Sequence, residues 1–363
     1  MTAQFMTLQE IVKRARGQLP RGDWDFLVGG AETETSLKRN RLGFERLALK
    51  ARVLNDVSSV NVRRKLFGTE LRIPVLLAPI GSLQAFEKGG GLTAARAAET
   101  FGIIKMLSSV CTPDFETIAR ECAGPKIYQL YLLGNEAWMM DIIARTEAAG
   151  YKAFCLTVDT QVHSRRERDL LKGYVPVGAR GPEGKALPRP AITLQPSMNW
   201  QLIGRIKDRF KIPLVLKGIA CAEDAELAVQ HGVEVIYVSN HGGRQLDQGR
   251  GALDMLPEVV RAVGGRATIL FDGGILRGTD VLKALALGAD AVAIGRLEGL
   301  AMAAGGAAAV VRMLELLENE MRVNLALMGL SSIDQLNPEC VIPAEPVGEP
   351  HVLSGFPLLG EDY

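Results

Sequence analysis

Short apolar runs rich in β-branched residues recur along the chain, and a segment of helical period follows each. They span Pro74–Pro79, Ile103–Ser108, Ile127–Tyr131 and Ala153–Asp159, then Pro213–Lys217, Val235–Ser239, Thr268–Asp272 and Ala291–Gly295. Runs that are apolar throughout, rather than alternating, suit strands of a parallel sheet buried on both faces. The spacers carry helix grammar. Thr112, with Pro113 at the first helical position, is expected to cap a helix that Gly124 ends. Thr279 is expected to cap one over Asp280–Leu287 that stops at Gly288, and Asn135–Gly150 and Ala222–Gly232 follow the same pattern. Eight strands alternating with helices predict a closed (β/α)8 TIM barrel, with an open doubly wound sheet as the alternative. Polar residues end nearly every strand, and that favours the barrel.

Two segments fall outside the repeat. Residues 1–70 read as a lead-in with helices around Leu8–Gln18 and Trp24–Val28. The gap from Thr160 to Ile212 has a Gly- and Pro-rich middle, Gly173–Pro196, read as a mobile loop over the barrel mouth. A disordered insertion without catalytic use is the other reading of that stretch. The chain is thus expected to be one barrel domain: lead-in to residue 70, barrel over 71–335, tail over 336–363.

Composition narrows the class. Hydrophobic residues make up 47% and charged residues 23% of the 363, an ordinary globular balance that excludes disordered and collagen-like chains. A formal charge of +1 gives no nucleic-acid footprint. Cys111, Cys122, Cys155, Cys221 and Cys340 match neither a disulfide framework nor a zinc site. The stretch Ala293–Val311 is Ala- and Gly-rich and interrupted by Arg296 and Glu298, so it reads as a buried helix rather than a membrane span. With no secretory leader and no peroxisomal tripeptide visible, the expectation is a cytoplasmic protein.

In barrels, chemistry collects at the C-terminal ends of the strands. Those ends supply Pro79, Ile80 and Gly81, then Ser108, Gln129, Tyr131, Thr157 and Asp159, and further on Lys217, Ser239, Asn240 and His241. The seventh strand ends in Asp272-Gly273-Gly274 and the eighth in Gly295-Arg296. Glycines and an arginine in those two loops suit a phosphate, held by backbone N–H groups and a helix N-terminus. His241 lies among glycines directly after a strand and can take a proton near neutral pH, with Asp159 as its orienting partner. His163, His231 and His351 suit structural roles better. Arg166 and Arg244 offer forked donors that match a carboxylate, although the run Arg165-Arg166-Glu167-Arg168-Asp169 alone reads as a solvated face. Lys217 ends a buried strand, where a cation calls for an anion or a special role. It can stabilise an anionic cofactor, or form a Schiff base as in a barrel aldolase.

Together these stretches resemble the FMN-dependent α-hydroxy acid oxidase and dehydrogenase family, which includes glycolate oxidase, lactate oxidase and mandelate dehydrogenase. The resemblance covers roughly residues 8–340 and rests on Gly30-Ala31-Glu32, Leu107-Ser108-Ser109, Gln129-Leu130-Tyr131, Leu156–Thr160 and Leu216-Lys217-Gly218. Most specific are Ser239–Asp247, Asp272-Gly273-Gly274 and Ile294-Gly295-Arg296. It implies bound FMN, with His241 as the base, Asp159 as its partner and Tyr131 on the substrate hydroxyl or ketone oxygen. Arg166 and Arg244 would hold the carboxylate. Lys217 would lie near flavin N1. Pro79, Ile80, Gly81, Ser108, Gln129, Thr157 and Ser239 would line the flavin, while Asp272, Gly273, Gly274, Gly295 and Arg296 would hold its ribityl and phosphate. It also implies a 2-hydroxy acid as substrate, oxygen or another electron acceptor, and a homotetramer.

Three departures stand out. Phe26 occupies the position of a carboxylate-binding tyrosine; Leu276, beside Arg277, replaces an arginine four residues after Asp272; Val110 and Gly81 stand for a tryptophan and an alanine. Val110 and Gly81 predict a larger pocket and a substrate bulkier than glycolate. Two other readings stay open from sequence: an FMN barrel performing a different conversion, and a flavin-free lyase using Lys217.

Overall fold

The computed structural model describes residues 5–179 and 194–361. All eight expected strands form: β1 Val75–Leu77, β2 Lys105–Ser108, β3 Lys126–Leu130, β4 Ala153–Thr157, β5 Leu214–Ile219, β6 Val235–Val238, β7 Thr268–Phe271 and β8 Ala291–Ile294. They run parallel, and β8 returns to β1 through Val292↔Val75, Ala293↔Leu76 and Ile294↔Leu77, so the sheet closes. The fold is a (β/α)8 barrel, and the open sheet is excluded.

Side chains of a strand alternate between its two faces, and this period sets what reaches the mouth. Leu76, Met106, Ile127, Cys155, Val215, Tyr237, Leu270 and Ala293 fill the interior. Counting two further along each strand gives Ala78, Ser108, Gln129, Thr157, Lys217, Ser239, Asp272 and Gly295. These residues therefore point along the barrel axis at its C-terminal end. Residues of the other register, such as Phe154, Leu156, Leu214 and Leu216, pack outward under the helices. A hairpin of Arg64–Leu66 and Thr69–Leu71 plugs the opposite end with Leu66 and Leu71.

Helix boundaries differ from expectation where a carboxylate is the better cap. The helix after β2 is Phe115–Glu121, capped by Asp114, whose side chain accepts from the Thr117 N–H, rather than by Thr112. The helix after β7 is Gly278–Ala286, starting before Thr279 because Asp280 reaches back to accept from the N–H groups of Leu276 and Arg277. Asn135 caps Glu136–Ala148 as expected, and Ala222–Gln230 forms at its expected start. The apolar stretch after β8 belongs to Arg296–Leu327, a helix broken at Gly305–Gly306 and buried along much of its length against Leu8–Gln18 and Gly90–Phe101.

The lead-in contains Leu8–Gln18, Arg21–Val28 and a third helix, Thr35–Glu45, that the hydrophobic pattern does not announce. Its buried face mixes Leu37 and Phe44 with Ser36, Asn40, Arg41 and Gly43, so no continuous apolar stripe marks it. Leu47–Leu49 pairs antiparallel with Val341–Pro343, tying lead-in to tail. In the loop after β4, Val177–Ala179 and Gln195–Ser197 form single 3-10 turns. The mobile-loop expectation for Gly173–Pro196 falls mainly on residues 180–193, which lie outside the described residues.

Candidate active site

A cavity of about 660 Å³ opens at the C-terminal end of the barrel, within the range of cofactor and ligand pockets. Its walls include Phe26, Pro79, Ile80, Gly81, Tyr131, Arg166, Lys217, His241, Arg244, Asp272, Gly273, Gly274, Gly295 and Arg296. Ser108, Gln129, Thr157 and Ser239 are buried just beneath, and Asp159 stands behind His241. Every residue given a catalytic, substrate or flavin role from the sequence is thus at or against one cavity.

The floor is a hydrogen-bonded layer. Ser239 Oγ donates to Asp272 Oδ1 (2.6 Å) and accepts from Lys217 Nζ (3.3 Å) and the His241 N–H (3.0 Å). Tyr237 OH donates to Asp272 Oδ2 at 2.8 Å. Gln129 Nε2 donates to Thr157 Oγ1 (2.9 Å), which leaves Gln129 Oε1 buried without a protein partner. Burial works against the Lys217 charge, but Asp159 and Asp272 outweigh it and hold the ammonium above the ordinary lysine range. Imine formation needs the free amine, so the Schiff-base reading loses its chemistry here.

The rim carries the His241–Asp159 pair. His241 Nδ1 lies 3.0 Å from Asp159 Oδ1, and Nε2 lies 3.3 Å from Tyr131 OH. A carboxylate can only accept, so Nδ1 carries the proton and Nε2 keeps its lone pair toward the cavity. Burial, then Lys217, push His241 below the ordinary histidine range, with Asp159 opposing. Asp159 is held ionised: burial disfavours its charge, while His241 and Lys217 favour it more strongly. Burial raises the Tyr131 phenol, which stays a donor.

Three guanidinium groups crowd the same wall. Arg166 Nε is buried without a protein partner, and burial lowers the affinity of this guanidinium for its proton. Arg244 is pushed in the same direction by burial, Arg166 and Arg296. Burial also brings Arg296 down to about 10. Such a cluster demands an anion.

The run around Arg166 is not a solvated face. Arg168 grips Glu34 with two parallel bonds of 2.7 Å and reaches Asp25 at 3.3 Å, Lys172 pairs with Asp25, and Tyr174 OH donates to Asp23 at 2.5 Å. These contacts fasten the loop after β4 to the helix Arg21–Val28 and to Glu34, the residue that precedes the third lead-in helix. The last carbonyls of that helix, which have no intrahelical donor, are taken by the barrel. Arg244 Nη1 donates to the carbonyls of Phe26 (2.6 Å) and Gly29 (2.9 Å), and Arg296 donates to those of Val28 (3.3 Å) and Gly29 (2.8 Å). Asp247, at the end of the His241 loop, accepts from the N–H groups of Thr33 and Ser36 and so caps the third lead-in helix from outside.

The departures acquire geometry. The Phe26 ring packs on Tyr174 and Phe86, with the Arg244 guanidinium 5.1 Å from its centroid. Arg277 does not take over the place of Leu276: it turns away to Glu320 and the Gly355 carbonyl. Arg41, unseen in the sequence, lines the cavity from the third lead-in helix and donates to Gly274 O (2.5 Å) and Asp280 Oδ2 (2.7 Å). A Cβ at Gly81 would lie 2.6 Å from Val110 Cγ2. The valine methyl therefore fills the space that Gly81 vacates, and the two positions do not enlarge the pocket independently. His163, assigned a structural role above, is exposed at the cavity wall, whereas His231 stacks on Trp200 and bonds the Leu227 carbonyl.

The residues present fit FMN. Gln129 Oε1 is an acceptor awaiting an N–H, Lys217 is a fixed cation at the floor, and a Cβ at Gly295 would meet nothing, leaving room beside Arg296 for a phosphate. The family model for FMN-dependent dehydrogenase matches residues 15–343. The chain is 40% identical to a peroxisomal (S)-2-hydroxy-acid oxidase of Oryza sativa subsp. japonica, over 90% of this chain and 92% of that one. It is 38% identical to an L-lactate oxidase of Nostoc sp., over 92% and 96% of the two chains. The crystal structure of mandelate oxidase superimposes with a TM-score of 0.86 at 36% identity, covering 95% of this chain and all of that one. A mandelate oxidase mutant with a C4a-OH-FMN adduct superimposes at 0.83. The chain belongs to the FMN-dependent α-hydroxy acid oxidase and dehydrogenase family, flavoprotein oxidoreductases that act on CH–OH groups.

Proposed function

We propose that this protein oxidises a 2-hydroxy acid bearing a bulky apolar side chain to the 2-oxo acid, with His241 as base and Arg166 and Arg244 on the carboxylate. The observation that carries the reading is the juxtaposition of an unpartnered buried guanidinium nitrogen, Arg166 Nε, with a neutral imidazole whose Nε2 faces the same cavity. The arginines fix the carboxylate and so place C2 and its hydroxyl against Nε2. Tyr131 OH, within reach of Nε2, holds the substrate oxygen as it changes from hydroxyl to ketone. His241 takes the hydroxyl proton, and Asp159 stabilises the imidazolium that results.

FMN, when bound, supplies the acceptor for the two electrons leaving the C2–H bond. Gly273, Gly274, Gly295 and Arg296 would hold its phosphate. Ser108, Gln129, Thr157 and Pro79–Gly81 would meet its ring system, and Lys217 would offer positive charge beside it. Oxygen is the proposed final acceptor, as the names of the oxidase relatives suggest.

Support for a bulky substrate comes from Phe26, Phe86, Val110, Leu133 and Tyr174, which give the cavity an apolar lining. Anaerobic reduction of the bound flavin by glycolate, lactate and mandelate tests this. The expected order of kcat/KM is mandelate, then lactate, then glycolate, since each buried methylene adds about 0.8 kcal/mol; glycolate reacting best would overturn it. Phe26→Tyr adds a neutral donor and is expected to tighten glycolate binding by about 10-fold while leaving mandelate unimproved, because a hydroxyl packed against a phenyl ring is left unpaired. Equal responses would show that residue 26 does not face the substrate.

A further inference from the structure

The family match ends at residue 343, yet the chain continues and folds back over the cavity. Val352 is one of the cavity-lining residues, alongside Arg41, Gly274 and Leu276. Gly355 sits on Leu276: a Cβ there would lie 3.1 Å from Leu276 Cβ and Cδ1. Phe356 is buried to 2% exposure in the main core. Polar bonds fix the segment on both sides. Ser354 Oγ donates to Glu45 Oε1 (2.6 Å), the Leu358 N–H donates to Gln9 Oε1 (2.8 Å), and Arg277 donates to Gly355 O (3.3 Å).

We infer that residues 351–360 are a strap that closes the phosphate end of the FMN site and retards cofactor release, with Leu276 as its apolar seat. This rests on FMN occupying the cavity. An arginine at position 276 would place a long charged side chain where Gly355 now packs, so the leucine and the tail belong to one arrangement. Excluding water beside Gly274 and Arg296 strengthens the attraction between the guanidinium and a phosphate. The cation that Leu276 does not supply is thus offset by lower local polarity. Phe356 anchors the strap, and release must wait for the strap to lift, so its rate scales with the fraction of time the anchor is out.

The test is FMN release from the full-length holoenzyme, followed as the rise of free-flavin fluorescence after dilution. Phe356→Ala is expected to release FMN at least about tenfold faster, with Phe356→Leu close to wild type, because only the first loses the anchor. Flavin reduction by substrate in molecules still loaded is expected to be unchanged. Equal release rates in wild type and Phe356→Ala overturn the strap and leave the FMN reading standing. A wild-type protein that binds no FMN overturns both. Removal of residues 351–363 gives a second measure: a truncated chain that holds FMN as tightly as the whole also overturns the strap. Should that chain fail to fold, the Phe356 pair decides alone.

Discussion

His241 shows how one side chain is tuned by opposing neighbours. Burial and Lys217 disfavour its proton, Asp159 favours it, and the balance lies below the ordinary value of about 6.5. On the proposed role of His241 as base, the free enzyme holds it neutral at pH 7, and activity is expected to fall only as pH drops through the lowered value. The acid limb of kcat/KM is expected below pH ~6.5. In Asp159→Asn the favourable charge is gone, so that limb should move lower still, while the rate of flavin reduction falls by about 10²–10⁴-fold through loss of imidazolium stabilisation. Stopped-flow reduction across pH checks both, and an acid limb that moves upward would remove Asp159 from the role. Stability follows the same sign. Between the folded value and ~6.5 the unfolded chain binds the extra proton, so the contribution of His241 declines as pH falls through that window.

At the scale of elements, the eight strands were legible because continuous apolar runs bounded by helix signals have few other uses. What the runs do not display is register. Gln129 and Thr157 become floor residues only because Ile127 and Cys155, two positions earlier, point inward, and an all-apolar strand hides which face is which. The third lead-in helix was invisible for a related reason: polar residues interrupt its buried face between Leu37 and Phe44, satisfied by Asn240 through Asn40 and by Asp280 through Arg41. The strand-end residues could be gathered from sequence, with Asp159 named as the partner of His241, but the close contacts that hold that pair in place could not. Gly218 is an instance. It is the penultimate residue of β5, in a left-handed conformation (φ +114°), and a Cβ there would lie 2.6 Å from Asp159 Cβ. Gly218→Ala combines backbone strain of about 1 kcal/mol or more with a push on the residue that orients His241. The expected result is a folded, yellow protein whose flavin reduction is slowed more than its FMN affinity is weakened. Equal loss of both would mean that the glycine serves the barrel rather than the His241–Asp159 pair.

Across the whole molecule, the site is assembled from segments far apart in the chain, and charge is the fastening. Arg168 and Lys172 of the loop after β4 meet Asp25 and Glu34 of the lead-in, which places Arg166 and Phe26 on neighbouring walls of one cavity. Burial alone would raise the Asp25 and Glu34 carboxyls, but Lys172 and Arg168 together pull Asp25 below the ordinary range, and Arg168 with the Gly30 N–H does so for Glu34. Folded values below unfolded ones mean that the fastening is at full strength above the ordinary carboxylate range and is lost as pH falls through the lowered values. Arg168 is partly exposed, so its worth is screened, and a double-mutant cycle of Glu34→Gln with Arg168→Met is expected to give a coupling of about 1 kcal/mol. The catalytic consequence should exceed the stability consequence. Arg166 lies two residues from Arg168, and freeing the loop would move the group proposed to hold the carboxylate while the cavity floor stays in place. Arg168→Met is therefore expected to raise KM for the hydroxy acid several-fold with little change in the rate of flavin reduction at saturation. Added salt should narrow the difference from wild type, because screening weakens the same ion pairs in the native loop. A fall in the saturated rate with KM unchanged would mean that the loop acts on the chemistry itself and not on the placement of the carboxylate.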